Sequence, residues 1–232
     1  MREGPVLKEF PDRSSASAAA ASTIAESLRA SLDRKARASV VVSGGSTPKQ
    51  CFENLSAERL DWNGICIVPS DERWVSPDDE NSNEHLIRSH LMQGPARAAQ
   101  LLPLYRAGLE PGQAADVIGA DLHGAERPFS CALLGMGEDG HFASLFPDFD
   151  GLVEALDTRS EQQCVMVRTD GSPFLRISLT LSALLDSCAL VLLFFGHAKR
   201  RVFQQALAGD SRYPVEALLA QDTVPVTAIW AP

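Results

Sequence analysis

The sequence has little of what several common function classes need. Basic residues are the minority: 21 Lys and Arg against 30 Asp and Glu leave a formal charge of −9. That balance argues against a nucleic-acid surface, which wants clustered cations. No long hydrophobic run exists. The longest, Cys188 to Phe195, spans eight residues, less than half of the ~20 that a membrane span requires. The opening Met1-Arg2-Glu3-Gly4-Pro5 has no apolar core behind a basic region, so no secretory leader is read there. The five cysteines (51, 66, 131, 164 and 188) are scattered and odd in number, without C-x-x-C or Cys/His spacing for zinc. They read as reduced core thiols. A soluble cytoplasmic protein with no membrane and no nucleic-acid partner is expected. A G-x-x-x-x-G-K-[ST] loop, a G-x-S-x-G elbow and an H-E-x-x-H pair are also missing, which argues against a P-loop nucleotidase, a serine hydrolase and a zinc protease. No metal and no cofactor are expected.

What the chain does have is alternation. Residues 14 to 37 are rich in Ala and Leu with basic residues at the end, and read as a helix. "ASVVVSGG" reads as a buried strand, and "TPKQCFENL" opens a helix with Pro at a natural first position. "GICIVPSDERWV" reads as a strand running into a polar loop, and Ser82 to Met92 as a helix. "PGQAADVIGADLHG" is helical, "FSCALLGMG" a strand, and a short helical piece comes after the glycine turn. "QCVMVRTD" is a strand, "RISLTLSALLDS" strand then helix, "ALVLLFFG" a buried strand, "AKRRVFQQALAG" a helix and "VTAIWAP" a last strand. The strands are continuous apolar runs, so both of their faces should be covered. The expected class is α/β: a mostly parallel sheet with helices on both faces, a Rossmann-like three-layer arrangement. With no repeat, low-complexity tract or long linker, residues 1–232 are expected to form a single domain. In such sheets ligands bind where strands end, which directs attention to the loops after Val42, Val68, Leu134 and Phe195.

"SGGSTP", Ser43 to Pro48, offers Gly44 and Gly45 for close backbone approach, the hydroxyls of Ser46 and Thr47, and a helix N-terminus. It reads as a monophosphate cradle or as a plain tight turn with a Ser/Thr cap. "PSDERWVSPDDENSN" puts Asp71, Glu72 and Arg73 just past a strand end. There an Arg meets a phosphate or an oxyanion and an Asp serves as base or orients one, unless the loop is merely solvated. Arg176, opening "RISLT", and Lys199, after "LFFGHA", are either surface charges or a clamp on one phosphate. The stretch "GMGEDGH" fits the spacing G-x-G-x-x-G, yet it carries Glu138 and Asp139 where a pyrophosphate would lie. The next strand also ends at Asp170, 33 positions beyond Gly137, whereas a ribose-binding acid belongs about 20 positions on. A catalytic turn fits better. Glycines permit a tight bend that brings Asp139 and His141 to the sheet edge, and a nearby carboxylate fixes an imidazole tautomer. His85, His90, His123 and His197 lack that setting and read as helix-surface residues.

With these residues in hand, the chain resembles the 6-phosphogluconolactonase family, which belongs with the glucosamine-6-phosphate deaminases in one superfamily. The resemblance covers nearly the whole chain. It rests on "SGGSTP", "SDERWV" with "NSN" downstream, "GMGEDGHFASLFP", "RISLT", "GHAKR" and "PVEALLAQ…VPVTAIWAP". It implies hydrolysis of a small sugar-phosphate lactone, 6-phospho-D-glucono-1,5-lactone, to 6-phosphogluconate in the oxidative pentose phosphate pathway. Carried over by motif, Gly44, Gly45, Ser46 and Thr47 would hold the phosphate with Arg176 and Lys199. His141 would be the general base, with Asp71 and Arg73 at the lactone end and either Asp71 or Asp139 as its partner. A monomer or small homo-oligomer is expected. Two positions depart from the family pattern: Phe142 stands where a small hydroxyl residue is common, and "DDE" stands where the loop before "NSN" often has a His. The sister deaminases carry a "NEP"-like acid just after the turn, where this chain reads "SLFP". The missing Glu favours a lactone hydrolase over the alternative, a deaminase-like isomerase. A sugar-phosphate sensor is the other rival, but it would need a DNA-reading module that is not apparent here.

Overall fold

The computed structural model describes residues 4–209 and 211–232. Residues 1–3, part of the N-terminal stretch read as free of a leader, lie outside the described residues. In chain order the strands are β1 (Val6–Glu9), β2 (Ala38–Val42), β3 (Ile65–Pro69), β4 (Asp71–Arg73), β5 (Gln100–Leu101), β6 (Cys131–Leu134), β7 (Cys164–Val167), β8 (Arg176–Leu179), β9 (Leu190–Phe195) and β10 (Val226–Ala231). The helices are α1 (Arg13–Lys35), α2 (Lys49–Ser56), α3 (Asn83–His90), α4 (Pro111–Leu122), α5 (Leu152–Ala155), α6 (Leu181–Leu185), α7 (His197–Ala208) and α8 (Val215–Ala220). Among the described residues no helix is long and apolar enough to cross a membrane.

Seven strands form one sheet in the order β1-β10-β9-β6-β2-β3-β5, and every pairing in it is parallel. The apolar strands alternate between two cores. Val41, Ala132, Leu134, Leu192 and Phe194 join one buried cluster, while Val40, Val42, Cys131, Leu133, Val191 and Leu193 join the other. That alternation is the two-residue period of a strand buried on both sides. On the second of these faces lie α1, α2 and α3, through Ile24, Leu28, Phe52, Leu55 and Ile87. The small residues Ala16, Ala20, Ala21 and Ala25 on the buried side of α1 let its backbone come close to the strands. On the first face lie α4, α6, α7 and α8, through Ile118, Leu184, Phe203 and Leu218.

The class expected from the sequence, α/β with a mostly parallel sheet and helices on both faces, is present, with one correction to its detail. β7 and β8 do not join the main sheet. They form a separate antiparallel sheet in the order β4-β8-β7, packed on the first core through Val165, Val167, Ile177 and Leu179. Only residues 168–175 separate β7 from β8, too few for the dozen or so that a parallel crossover needs.

The stretch Asp71–Arg73, expected as polar loop, is likewise a strand, because β8 supplies its backbone partners. Ser70 is the hinge between sheets: its N–H donates to Val42 O at 2.8 Å and its C=O accepts from Leu179 N–H at 2.9 Å. β1 is a further strand beyond those expected. It is short and largely exposed, with Lys8 and Glu9 on the sheet edge, so no apolar run announces it. The helical piece expected straight after the "GMGEDGH" turn begins only at Leu152. Between the two lies a bend closed by a Phe142–Leu145 bridge.

Three thiols, Cys51, Cys131 and Cys164, are buried, and burial pushes each up to about 12. Cys66 is half-buried and Cys188 is exposed, so the reading of core thiols fails for that last residue. All five are free.

Phe52 is fully buried on α2, the helix that succeeds the glycine loop. Phe52→Ala should cost about 3–5 kcal/mol, read as a lowered urea midpoint at unchanged slope.

Candidate active site

Strand order decides which loops meet. From β2 the chain runs to β3 on one side, and β9 lies beside β6 on the other, so the order reverses between β2 and β6. Loops leaving adjacent strands at such a switch point diverge and open a crevice. The loops read as functional leave β9, β6, β2 and β3, four neighbours in the sheet. A cleft of about 330 Å³ opens there. It is lined by Gly44, Gly45, Ser46 and Thr47 after β2, by Asp71 and Arg73 on β4, by His141 after β6, by Arg176 on β8 and by Lys199 on α7. Of the side chains singled out at these loops, Glu72, Glu138 and Asp139 are absent from the lining, and Asp139 touches His141 directly.

The glycine loop leads into α2, which no side chain caps. Its first-turn N–H groups are therefore free for an anion. Gly44 has no room for a side chain, since a Cβ there would lie 1.9 Å from Asn83 Oδ1. Asn83 in turn donates from Nδ2 to Asp71 O at 2.8 Å.

On the opposite side of β2 stands the turn Gly135 to His141. Gly137 N–H donates to His141 O at 2.9 Å and Gly140 N–H to Gly137 O at 3.2 Å, which closes it tightly. A Cβ at Gly137 would lie 2.3 Å from both Asp139 Oδ1 and His141 Nδ1. Glycine is thus the residue that leaves space for those two side chains to meet, and they do: His141 Nδ1 lies 2.6 Å from Asp139 Oδ1. A carboxylate only accepts, so Nδ1 carries the hydrogen and Nε2 is left with its lone pair. Burial pushes the Asp139 carboxyl up, but the hydrogen bonds from the ring and backbone of His141 offset it, and the group is held below the usual carboxylate range. The ring of Phe146 packs on the His141 imidazole, centroids 4.3 Å apart, and the Arg176 guanidinium lies 5.2 Å from the same ring.

Asp71 is not the partner of His141. Its carboxylate is buried and accepts from the Ser70 hydroxyl at 2.7 Å and the Ser144 hydroxyl at 2.6 Å. Ser144 N–H donates to Ser178 Oγ at 3.1 Å. The two-residue period of β4 and β8, in the register Asp71↔Ser178 and Arg73↔Arg176, puts these four side chains on one face of the small sheet. Glu72 therefore points the other way. Fully buried, it accepts from the backbone N–H groups of Arg73, Asn83 and Glu84 at 2.7–2.8 Å and from the Ser82 hydroxyl at 3.0 Å. Burial pushes its carboxyl up, and these donors offset part of that. Glu72 thus caps α3 and fixes Asn83 under the glycine loop. Arg73 is held by one bond, Nη1 to Asn81 O at 2.7 Å.

The two remaining cations line the same cleft. Burial lowers the Arg176 guanidinium from its ordinary value while Asp71 pulls it back up. Burial also lowers Lys199, with Glu138 and Asp139 pulling it up and Arg13 pushing it down. No hydrogen bond or ion pair engages Lys199 Nζ among the described residues. Neither departure from the family pattern reaches the cleft. Phe142 is fully buried in the core, and Asp79 of the "DDE" loop accepts from Asn81 at 2.8 Å. The other histidines are elsewhere: His85 and His90 on α3, with His90 paired to Glu53 at 3.0 Å, His123 after α4, and His197 against Trp230. Among the described residues no group of three His, Cys, Asp or Glu side chains gathers as metal ligands.

Not expected from the sequence are Asn83 and Phe146 in the lining and Ser144 behind it; Glu72, expected as a loop acid, is instead a buried cap. "NSN" and "SLFP" stand out as strings, but nothing local tells which of their side chains turn inward.

Residues 11–230 match the family described as glucosamine-6-phosphate isomerases/6-phosphogluconolactonase. A 6-phosphogluconolactonase of Mesorhizobium japonicum is 36% identical over 96% of this chain and 94% of its own length. One of Pseudomonas aeruginosa is 36% identical over 91% of this chain and 89% of its own. The crystal structure of a 6-phosphogluconolactonase from Shewanella baltica superposes with a TM-score of 0.94 at 38% identity, covering all of both chains.

Glu72→Ala should strip four donors of their buried acceptor and cost about 3 kcal/mol. Urea unfolding checks it, and an unchanged midpoint would contradict the capping role.

Proposed function

The chain belongs to the glucosamine-6-phosphate isomerase/6-phosphogluconolactonase family, and within it we propose that this protein hydrolyses 6-phospho-D-glucono-1,5-lactone to 6-phosphogluconate with His141 as general base. The observation that carries the reading is the Asp139–His141 pair at 2.6 Å on the wall of the same cleft as the glycine loop, Arg176 and Lys199. One end of that cleft suits a phosphate and the other holds a base with a free lone pair.

In this reading the phosphate binds the N–H groups and hydroxyls of Gly44 to Thr47 between Arg176 and Lys199, and so presents C1 to His141. His141 Nε2 takes a proton from water as the water oxygen attacks the C1 carbonyl. The imidazolium that forms is stabilised by Asp139. The tetrahedral oxyanion is met by Arg73 or by backbone N–H groups. Its collapse breaks the C1–O5 bond, and His141 returns the proton to the departing ring oxygen. Lactone, water and product balance without any other reactant. Asp71 takes no proton in this scheme; its two oxygens are committed to Ser70 and Ser144, and it positions the residues around it.

The test is proton or carbon NMR of freshly generated lactone with and without protein, against the spontaneous rate. Accelerated 6-phosphogluconate formation is expected, and His141→Ala should lower kcat by about 10²–10⁴-fold. A variant with near-wild-type kcat would remove the base assignment. No acceleration, with ammonia released from glucosamine 6-phosphate, would replace the lactonase by a deaminase.

Lys199 gives a second, pH-based check. Burial lowers its folded value, and a phosphate dianion beside it must raise it again. Binding of 6-phosphogluconate at alkaline pH should therefore take up protons, seen by calorimetry in buffers of different ionisation enthalpy. Lys199→Ala should lose that uptake. Uptake that persists in the variant would place the phosphate elsewhere.

A further inference from the structure

The turn Gly137–His141 that carries the base contains two glycines and two exposed carboxylates, and its own two backbone bonds do not tie it to anything outside it. The segment after α7 holds it from outside. Val215 N–H donates to Gly140 O at 2.9 Å. Tyr213 lies directly beneath Gly140, so close that a Cβ there would sit 2.4 Å from Tyr213 Cβ and 2.7 Å from its Cγ. Gly140 has φ +75, the left-handed region that glycine adopts without strain. Backbone and ring contact thus meet one residue before the base.

The segment is itself fixed. Glu216 accepts from Ser211 N–H at 3.0 Å and from its hydroxyl at 2.6 Å, and the Tyr213 hydroxyl donates to Gln205 Oε1 at 3.2 Å. Gln205 belongs to α7, the helix whose first turn carries Lys199. A continuous path therefore runs from the phosphate-side cation along α7, through Tyr213, to the turn that presents the base.

We propose that Tyr213 is a positioning residue for His141: its ring props the Gly137–His141 turn and so sets the orientation of the imidazole. The prop acts on orientation and not on grip, since Tyr213 takes no part in the cleft lining that holds the phosphate loop, Arg176 and Lys199. Small misplacements of a base are costly in rate, on the order of 10–10²-fold for shifts near 1 Å. The proposal rests on the lactonase reading for its kinetics, so the experiment carries a readout that does not.

Tyr213→Leu and Tyr213→Phe, in the full chain, separate bulk and ring from the hydroxyl. Leu should lower kcat by about tenfold or more and leave KM within about threefold; Phe, which keeps the ring, should stay near wild type. In ¹⁵N NMR of the neutral imidazole, wild type and Tyr213→Phe should hold His141 as the Nδ1–H tautomer. Tyr213→Leu should show a mixture, at a fold retained by circular dichroism. Unchanged kcat, or a loss borne by KM, overturns the proposal, as does an unchanged tautomer. If Leu does not fold, Gly140→Ala, which forces turn and ring apart, must show the same tautomer mixture. Should the wild type hydrolyse no lactone, the functional reading fails, and the tautomer comparison alone decides whether Tyr213 sets the imidazole.

Discussion

One buried carboxylate holds the site together. Asp71 sits one residue past the point where the chain leaves the parallel sheet, and its two oxygens take the hydroxyls of Ser70 and Ser144. Ser70 bonds to both sheets, and Ser144, in the bend just after His141, donates its N–H to Ser178 on β8. The loop that carries His141, the parallel sheet and the small antiparallel sheet with its two arginines are thus pinned at a single point. A buried carboxylate is costly unless its lone pairs are filled, so the arrangement favours the one geometry in which both hydroxyls arrive. Glu72 does the same on the opposite face of β4, where backbone N–H groups hold the start of α3 and set Asn83 beneath the glycine loop.

In the proposed reading, that frame lets a chain of net charge −9 present an anion site. Arg73, Arg176 and Lys199 converge on one cleft beside an uncapped helix N-terminus. The acids of the turn serve another end. Asp139 is engaged by His141, and Glu138 and Asp139 offset part of the burial that lowers Lys199. In the same proposed reading, a turn with the spacing of a dinucleotide fingerprint delivers a base, and phosphate recognition falls to the loop after β2. Local fields of this kind outweigh the sign of the whole molecule at short range.

Much of this is legible in the sequence, for reasons tied to particular residues. Continuous runs such as "VVV" and "LVLLFF" demand cover on both faces, and that alone gives the parallel sheet and its two cores. Glycines beside charged residues at strand ends mark the loops that line the cleft. The hidden parts depend on partners distant in sequence. β4 is a strand only because β8 pairs with it, and β1 only because β10 lies alongside. The choice between Asp71 and Asp139 stays open in the sequence because both lie near glycine-rich or polar loops; the hydroxyls of Ser70 and Ser144 decide it. The antiparallel pairing of β7 and β8 is readable from their short connection, a signal that the expectation of a parallel sheet overrode. Phe146 and Tyr213 look like ordinary apolar residues, and only tertiary contact gives them a place beside His141.

The central claim is that the cleft has two ends: phosphate at the loop after β2, and reacting carbon at His141. A crystal structure with 6-phosphogluconate bound tests this most directly. The account predicts phosphate oxygens on the backbone of Gly44 to Thr47 between Arg176 and Lys199, with the C1 carboxyl group beside the His141 imidazole. A product bound the other way round, with phosphate against His141 and the carboxylate in the glycine loop, would contradict it.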